Sequence, residues 1–501
     1  MHATAISNIH ERRRKVIAAL VAGTPSLHSV FAQTVSDDVA RLAGVWTGEL
    51  EHGGDRTPIY VVLAPGRDGA FVAKLSLPVL DLYDVGLGKA TLNGGTLRFA
   101  SLSFDYDAAG DRLSGTLPTD LVPVYALKTT LTRTKELVRR PRPDFDAPLR
   151  DPAWTSAVGA SVWSDVAAAH GLVFIGADDG RLHALDARSG AQHWIYTADG
   201  PFRSGSTVAG ERLYVTSDDG VLHCLGARDA KVLWRIRVNR DRAVRLPATD
   251  PKSKYDVHGA AVRLVRDTVF VGTHEGRVLA LEAGDGRPRW TFSTGDRIVA
   301  TPFFADGQVL VGSFDGKVYA LDAATGVLRW AFNAKAPVTS TPTRVGDVVV
   351  VGSRAYDIWG LDAATGRPRW NHYVWFSWIE SSPAIAGRAA YVGSSDAAKI
   401  FAFDAVTGRS HWTTDVHGFA WGAPVVDGDR LFIGTRSEPG PIAHRANAMA
   451  LDRTTGNVLW RHPVEAGGAN TPRGFAGGAA VAQGRVVLAA VDGRVFAFDT
   501  R

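Results

Sequence analysis

Among its 501 residues the chain has a single cysteine, Cys224. No intramolecular disulfide can form, and neither a Cys-x-x-Cys zinc site nor a Cys-x-x-Cys-His haem attachment is possible. No cysteine is available near the N-terminus for lipidation, so no lipid anchor is expected. Cys224 follows His223 in the strand-like run Val221-Leu222-His223-Cys224-Leu225 and reads as a small buried hydrophobe. Long apolar runs are also missing. A bilayer span needs about 20 apolar residues, and no stretch reaches that length. Charge of one sign is scarce. The 56 Lys+Arg against 51 Asp+Glu leave +5, and Arg12, Arg13, Arg14 and Lys15 against Glu11 supply +3 of it. The basic excess therefore belongs to the N-terminus and implies no nucleic acid partner. A Gly-x-Ser-x-Gly nucleophile elbow, a Gly-rich phosphate loop and a histidine cluster are absent as well. What remains is ordinary globular composition, 45% hydrophobic and 21% charged.

The N-terminus carries an address. Basic residues 12–15 precede the short apolar run Val16-Ile17-Ala18-Ala19-Leu20-Val21-Ala22. Val30-Phe31-Ala32 then places small or branched residues at the −3 and −1 positions of a cleavage site after Ala32. Basic, apolar and small-x-small in that order is a secretory signal, predicted over 1–32. The arginine cluster suits the twin-arginine route as well as the Sec route. A periplasmic protein is expected by either.

The strongest signal is a repeat. Leu321-Asp-Ala-Ala-Thr-Gly-Val-Leu-Arg-Trp330, Leu361-Asp-Ala-Ala-Thr-Gly-Arg-Pro-Arg-Trp370 and Leu451-Asp-Arg-Thr-Thr-Gly-Asn-Val-Leu-Trp460 share one pattern. Its tryptophan falls at 154, 194, 234, 290, 330, 370, 412 and 460. A period of about 40 residues belongs to propeller blades or helical arrays. Short strand-like runs such as Val309-Leu-Val-Gly-Ser313 and Lys317-Val-Tyr-Ala-Leu321, with an Asp-Gly turn at Asp315-Gly316, favour blades. One unit then reads as four strands: 299–303, 308–312, 317–322 and 328–332. A lone sheet of this kind cannot bury both faces, whereas blades stacked around an axis can, with the tryptophan filling the gap between neighbours. Seven complete units run from about Val162 to His462, and the last segment stops at Asp499 without its tryptophan strand. That strand is present at the other end, as Ala153-Trp154-Thr155. Pairing the two would close a ring of eight blades over 151–501 and remove the open edges.

This signature resembles the repeat of pyrroloquinoline-quinone (PQQ)-type propellers, a family that includes quinoprotein alcohol dehydrogenases and the propeller lipoprotein of the outer-membrane barrel-assembly machinery. The resemblance implies the fold; the repeat itself is scaffolding and says little of function. Residues 41–135 lack the repeat. Their short strand-like runs, 44–50, 59–63, 70–75, 96–99 and 113–117, predict a small β-barrel or sandwich. The Pro- and Arg-rich stretch within 136–150 reads as a semi-rigid linker.

Ligands of closed propellers gather where the first strands converge on the channel. Those strands have a bland common form, Thr301-Pro302, Thr341-Pro342 and Ser382-Pro383. Departures from it single out Trp163, Asp165, Arg203, His258, Glu380 and Trp421. Trp163, Arg203, Glu380 and Trp421 all stand three residues before the proline position, so they share one end of the channel. Trp378 lies just ahead of a first strand. Aromatic faces can sandwich a flat ring, and Arg203 can fork to a carboxylate, which describes a funnel for a small anionic or aromatic ligand. On the other reading, Arg203 and Glu380 pair across the channel and the tryptophans plug it.

Two functions follow from the resemblance. One is a binding scaffold for such a ligand or for another exported protein. The other is a dehydrogenase in which PQQ sits in the funnel with Ca²⁺, Glu380 and Asp165 serving as metal ligand and base, and Trp163, Arg203, His258, Trp378 and Trp421 holding the cofactor. The sequence favours the scaffold. The vicinal cysteine pair and haem motif found among such dehydrogenases are absent. The one sizeable insert, Val238–Val257, is a basic loop.

Overall fold

The computed structural model describes residues 41–66, 71–100, 102–117, 127–139, 146–243, 257–437, 444–464 and 473–501. The predicted signal and most of the basic insert lie outside these. Among the described residues the secondary structure is all β, apart from one 3₁₀ turn at Pro78–Leu80. No helix of theirs is long and apolar enough to cross a membrane. They form two compact units.

The first unit is a nine-stranded antiparallel sheet, barrel-like and nearly closed. Its two edge strands, Leu82–Lys89 and Thr91–Asn93, follow each other in the chain. One face alternates inward: Trp46, Leu50, Ile59, Val61, Leu63, Ala73, Leu75, Leu113 and Leu131 are fully buried. Trp46 donates Nε1–H to the Leu42 carbonyl (2.9 Å) and carries the Arg133 guanidinium 4.4 Å from its ring centre. Sequence patterning reaches five of the nine strands. Leu82–Lys89, Thr91–Asn93, Leu102–Asp107 and Leu127–Thr134 escape it because glycines, acids or threonines dilute their alternation.

The second unit is an eight-bladed propeller. Seven four-stranded sheets follow in order at 167–197, 207–237, 263–293, 303–333, 343–373, 384–415 and 425–463. The eighth combines Ala480–Ala482, Arg485–Ala489 and Arg494–Asp499 with Trp154–Ala157, which pairs antiparallel to the last strand. The ring therefore closes with its first strand against its last. Just upstream, residues 148–150 lie parallel to the outer strand of blade 7. Arg150 N donates to Arg461 O and Arg461 N to Pro148 O, both at 2.9 Å.

Each part of the repeat signature has a task, visible where blade 4 meets blade 5. Asp362 Oδ1 accepts from the backbone of Ala364 (3.1 Å) and Thr365 (2.9 Å) and from the Thr365 hydroxyl (2.8 Å), fixing the turn between the third and fourth strands. Gly366 follows at φ +70°, and a Cβ there would stand 2.5 Å from the Trp330 ring of the preceding blade. Trp330 in turn donates Nε1–H to the Ala363 carbonyl (3.0 Å). Trp154, Trp194, Trp234, Trp290 and Trp412 make the equivalent bond to the next blade. The tryptophan is thus an inter-blade clamp, and Asp and Gly shape the turn it grips.

The innermost strands are shorter than expected. In blade 4 the ladder starts at Phe303, so 299–302 enter the blade as extended chain outside the sheet. Pro302 has no N–H to give a ladder. These entry segments carry the residues singled out above.

Candidate channel site

Entry segments from all eight blades line one cavity of about 660 Å³, solvent at its mouth included. Their side chains alternate. The residue two before the proline position turns into the blade: Ser164 Oγ donates to Gly176 O (3.0 Å) and Ser204 Oγ to Thr216 O (2.9 Å). The residues three before it, Arg203, Val299, Thr339, Glu380 and Trp421 among them, face the channel, as do Asp165, Thr301, Thr341 and Ser382 one before it; Trp163 is the exception. Of the seven predicted site residues, Asp165, Arg203, His258, Glu380 and Trp421 line this cavity. Trp163 and Trp378 stand behind its wall, 2% and 4% exposed.

The charges are arranged differently from the expectation. Arg203 does not pair with Glu380. It forks onto Asp178, Nε to Oδ1 at 2.8 Å and Nη2 to Oδ2 at 3.0 Å, with Asp218 at 3.9 Å. Glu380 accepts from Arg354 Nε (2.5 Å), and both of those side chains are 4% exposed. The guanidinium of Arg354 also lies 4.5 Å from the Trp378 ring centre and 5.0 Å from that of Phe314. Blades 2 and 6 are separated across the ring, whereas the turn of the preceding blade is adjacent, so each group takes the nearer partner. A buried pair of this kind is costly to break, by about 3–5 kcal/mol when one member is removed.

Those partners form a second ring that alignment of the first strands does not reveal. Asp178, Phe314 and Arg354 stand two residues past the glycine that ends the second strand of their blades, Asp218 holds the aligned place after Ser217, and Arg436 stands two residues past Gly434 in the short strand Arg436–Ser437. The turns of Asp178, Asp218 and Phe314 go on to Asp-Gly, as the turn at Asp492-Gly493 does, whereas Arg354 goes on to Ala355-Tyr356. The departure Ser353-Arg354-Ala355-Tyr356 was legible in the same way as the departures among the first strands. Arg436 is fully buried 3.9 Å from the ring centre of Trp421, 5.2 Å from Trp163 and 5.9 Å from Phe419. Trp163 and Trp421 thus pack a cation of the protein itself, within an apolar cluster that includes Val257, Phe419, Ala476 and Val491. His258 meets the edge of Trp421, ring centres 6.4 Å apart.

Away from the channel, burial pushes the His223 imidazole down to about 4 and the Cys224 thiol up to about 11. A thiol so held is neutral and unreactive, which agrees with its reading as a small hydrophobe.

A family model described as outer membrane protein assembly factor BamB matches residues 144–256, 250–376 and 374–501. Similar solved structures include the computationally designed Ika8 protein, with TM-score 0.56 and 16% identity over 68% of this chain and 97% of that one. Sqt1 of Saccharomyces cerevisiae has TM-score 0.54 and 14% identity over 70% of this chain and 99% of that one. The quinohemoprotein alcohol dehydrogenase of Comamonas testosteroni has TM-score 0.51 and 14% identity over 70% and 76%. At such identities these likenesses concern the fold alone. No curated protein sequence matches.

Proposed function

The chain belongs to the PQQ-type repeat family whose model carries the BamB description, and from that premise we propose that its propeller is a non-catalytic scaffold for another protein in the cell envelope. The mature chain begins after the signal at 1–32, and the propeller acts on the periplasmic side. The observation that carries this reading is that both arginines lining the channel mouth are spent on carboxylates of the chain, Arg203 on Asp178 and Arg354 on Glu380.

The residues do not fit PQQ with Ca²⁺. The cofactor's three carboxylates call for cations, and both arginines lining the cavity already hold carboxylates of the chain. Glu380, the expected calcium ligand, is spent on Arg354, and Asp165 stands three blades away from it. Calcium takes six to eight oxygen ligands. Among the described residues no group of three or more His, Cys, Asp or Glu is placed to hold a metal. The same pairing leaves a small anionic ligand no uncommitted arginine in the wall. A protein partner agrees with the family description and needs no chemistry from the channel.

Calorimetric titration of the metal-stripped mature protein with PQQ, with and without Ca²⁺, tests this directly. No heat at high micromolar cofactor is the expected result. Stoichiometric, calcium-dependent binding that disappears in Glu380→Ala would overturn the scaffold reading in favour of a dehydrogenase. The positive counterpart is co-purification of an envelope protein at fixed stoichiometry.

A further inference from the structure

One charge in the channel is not neutralised by the protein. In the ring of residues just before the proline position, seven blades place Gly205, Ala261, Thr301, Thr341, Ser382, Ala423 and Gly478, all uncharged, and blade 1 places Asp165. The Asp165 side chain is exposed into the cavity. Its Oδ1 accepts from Gly478 N at 2.6 Å. Among the described residues no cation pairs with it, in contrast to Glu380 and to Asp178.

The neighbours keep this carboxylate open. A Cβ at Gly205 would lie 3.4 Å from Asp165 Oδ2, and one at Gly478 would lie 3.3 Å from Oδ1. Both flanking blades thus have glycine where blades 4, 5 and 6 have threonine or serine. A carboxylate in a cavity with low-dielectric walls concentrates a negative potential. With the two lining arginines matched by Glu380 and Asp178, Asp165 is the one carboxylate of the lining that no cation of the described residues pairs with. Opposite Asp165, the hydroxyls of Thr341 and Ser382 line the cavity, Ser382 Oγ accepting from Thr341 N at 2.9 Å with a lone pair to spare, while Val299 adds an apolar side chain beside an alkyl stem.

We propose that Asp165 is the receptor for an organic monocation, the lysine or arginine side chain of the protein partner, inserted along the axis into the channel mouth. This inference rests on the protein-scaffold reading and specifies where and by what chemistry the partner is held. A metal ion is the poorer guest, since one carboxylate and a few hydroxyls fall short of its ligand number.

The probe is the peptide acetyl-Gly-Lys-Gly-amide, compared with its norleucine and glutamate counterparts by saturation-transfer NMR on the full mature protein. The lysine peptide should bind, the other two should not, and Asp165→Asn should weaken binding at least tenfold. Asparagine retains an oxygen for the Gly478 N–H, so the fold should persist. Should that variant unfold, a salt series on the unaltered protein decides, because raising ionic strength from 50 to 500 mM should also weaken binding. Equal binding of the norleucine peptide, no binding of the lysine peptide at tens of millimolar, or an affinity indifferent to both Asp165→Asn and salt would each overturn the site. Co-purification of a partner is independent of these peptides, so the site can fail while the scaffold stands.

Discussion

His223 is a single residue whose surroundings decide its chemistry. It is 2% exposed, with Nδ1 3.0 Å from the Tyr196 hydroxyl and Nε2 2.8 Å from Ser217 Oγ. The Ser217 hydroxyl donates onward to Asp219. Serine, histidine and aspartate are therefore in line, but in the wrong proton order for a nucleophile: the serine gives its hydrogen to the carboxylate and receives one from the imidazole. Burial holds the ring neutral, lowering its pKa to about 4 against the upward pull of Asp219. The unfolded chain, with an ordinary histidine near 6.5, binds the proton more readily. Stability from this site is thus full above pH 6.5 and falls as the pH drops toward 4. Urea unfolding at pH 7 and pH 5 should show a loss of about 2 kcal/mol assignable to this group. His223→Gln should lower stability at pH 7 while flattening that dependence; an unchanged slope would contradict it.

The inter-blade clamp sets behaviour at the scale of the element. Asp362 illustrates it: the Arg369 guanidinium first, then the Thr365 hydroxyl, pulls its carboxyl down to about 2. A depressed carboxyl contributes stability above its unfolded value near 4 and loses it as the pH falls through about 2. Asp362→Asn should therefore lower thermal stability most at pH 7, where the charged carboxylate contributes in full, and flatten the acid limb between pH 4 and pH 2, so that the two proteins converge at low pH when followed by circular dichroism. The same element explains why the blades could be read from the sequence. A turn aspartate, a left-handed glycine and a clamp tryptophan recur because each serves the same junction from blade to blade, with Gly226 and Ala230 in blade 2 and Glu282 in blade 3 as departures. The barrel strands carry no such repeated demand. Leu127–Thr134 buries Leu127, Thr129 and Leu131 on alternate positions, but the middle one of the three is a threonine, so the run reads as polar. The channel was half legible. A charge at Arg203 or Glu380 stands out against a run of Ser-Pro and Thr-Pro, whereas its partner lies in another column of the alignment. Which arginine meets which carboxylate depends on the lateral neighbour in the ring, and no sequence spacing encodes that.

For the molecule as a whole, the decisive contact is ring closure. Trp154 donates Nε1–H to Ala187 O at 3.1 Å, and a Cβ on Gly190 would strike its ring at 2.5 Å, so the tryptophan locks blade 8 to blade 1. Trp154→Ala removes that lock, and a large loss of buried aromatic contact costs about 3 kcal/mol. Chemical denaturation should register a drop of that order, with limited proteolysis cutting first near 146–160. Trp330→Ala, inside the ring, should cost as much without shifting the first cut. If the two variants were cleaved at the same place, closure would not be the weak point.

Residues 148–157 brace two blades at once, lying along the outer strand of blade 7 and then completing blade 8. They are synthesised before any blade exists, and their partner at Arg494–Asp499 only after the seven other blades. The wheel therefore cannot close until the last strand of its eighth blade has been made; its rim strand waits for the whole propeller. A route that threads the polypeptide through a membrane unfolded leaves this last step to the destination compartment. A route that carries folded cargo requires it before departure. The order of manufacture thus turns one short strand into a completion check on the propeller.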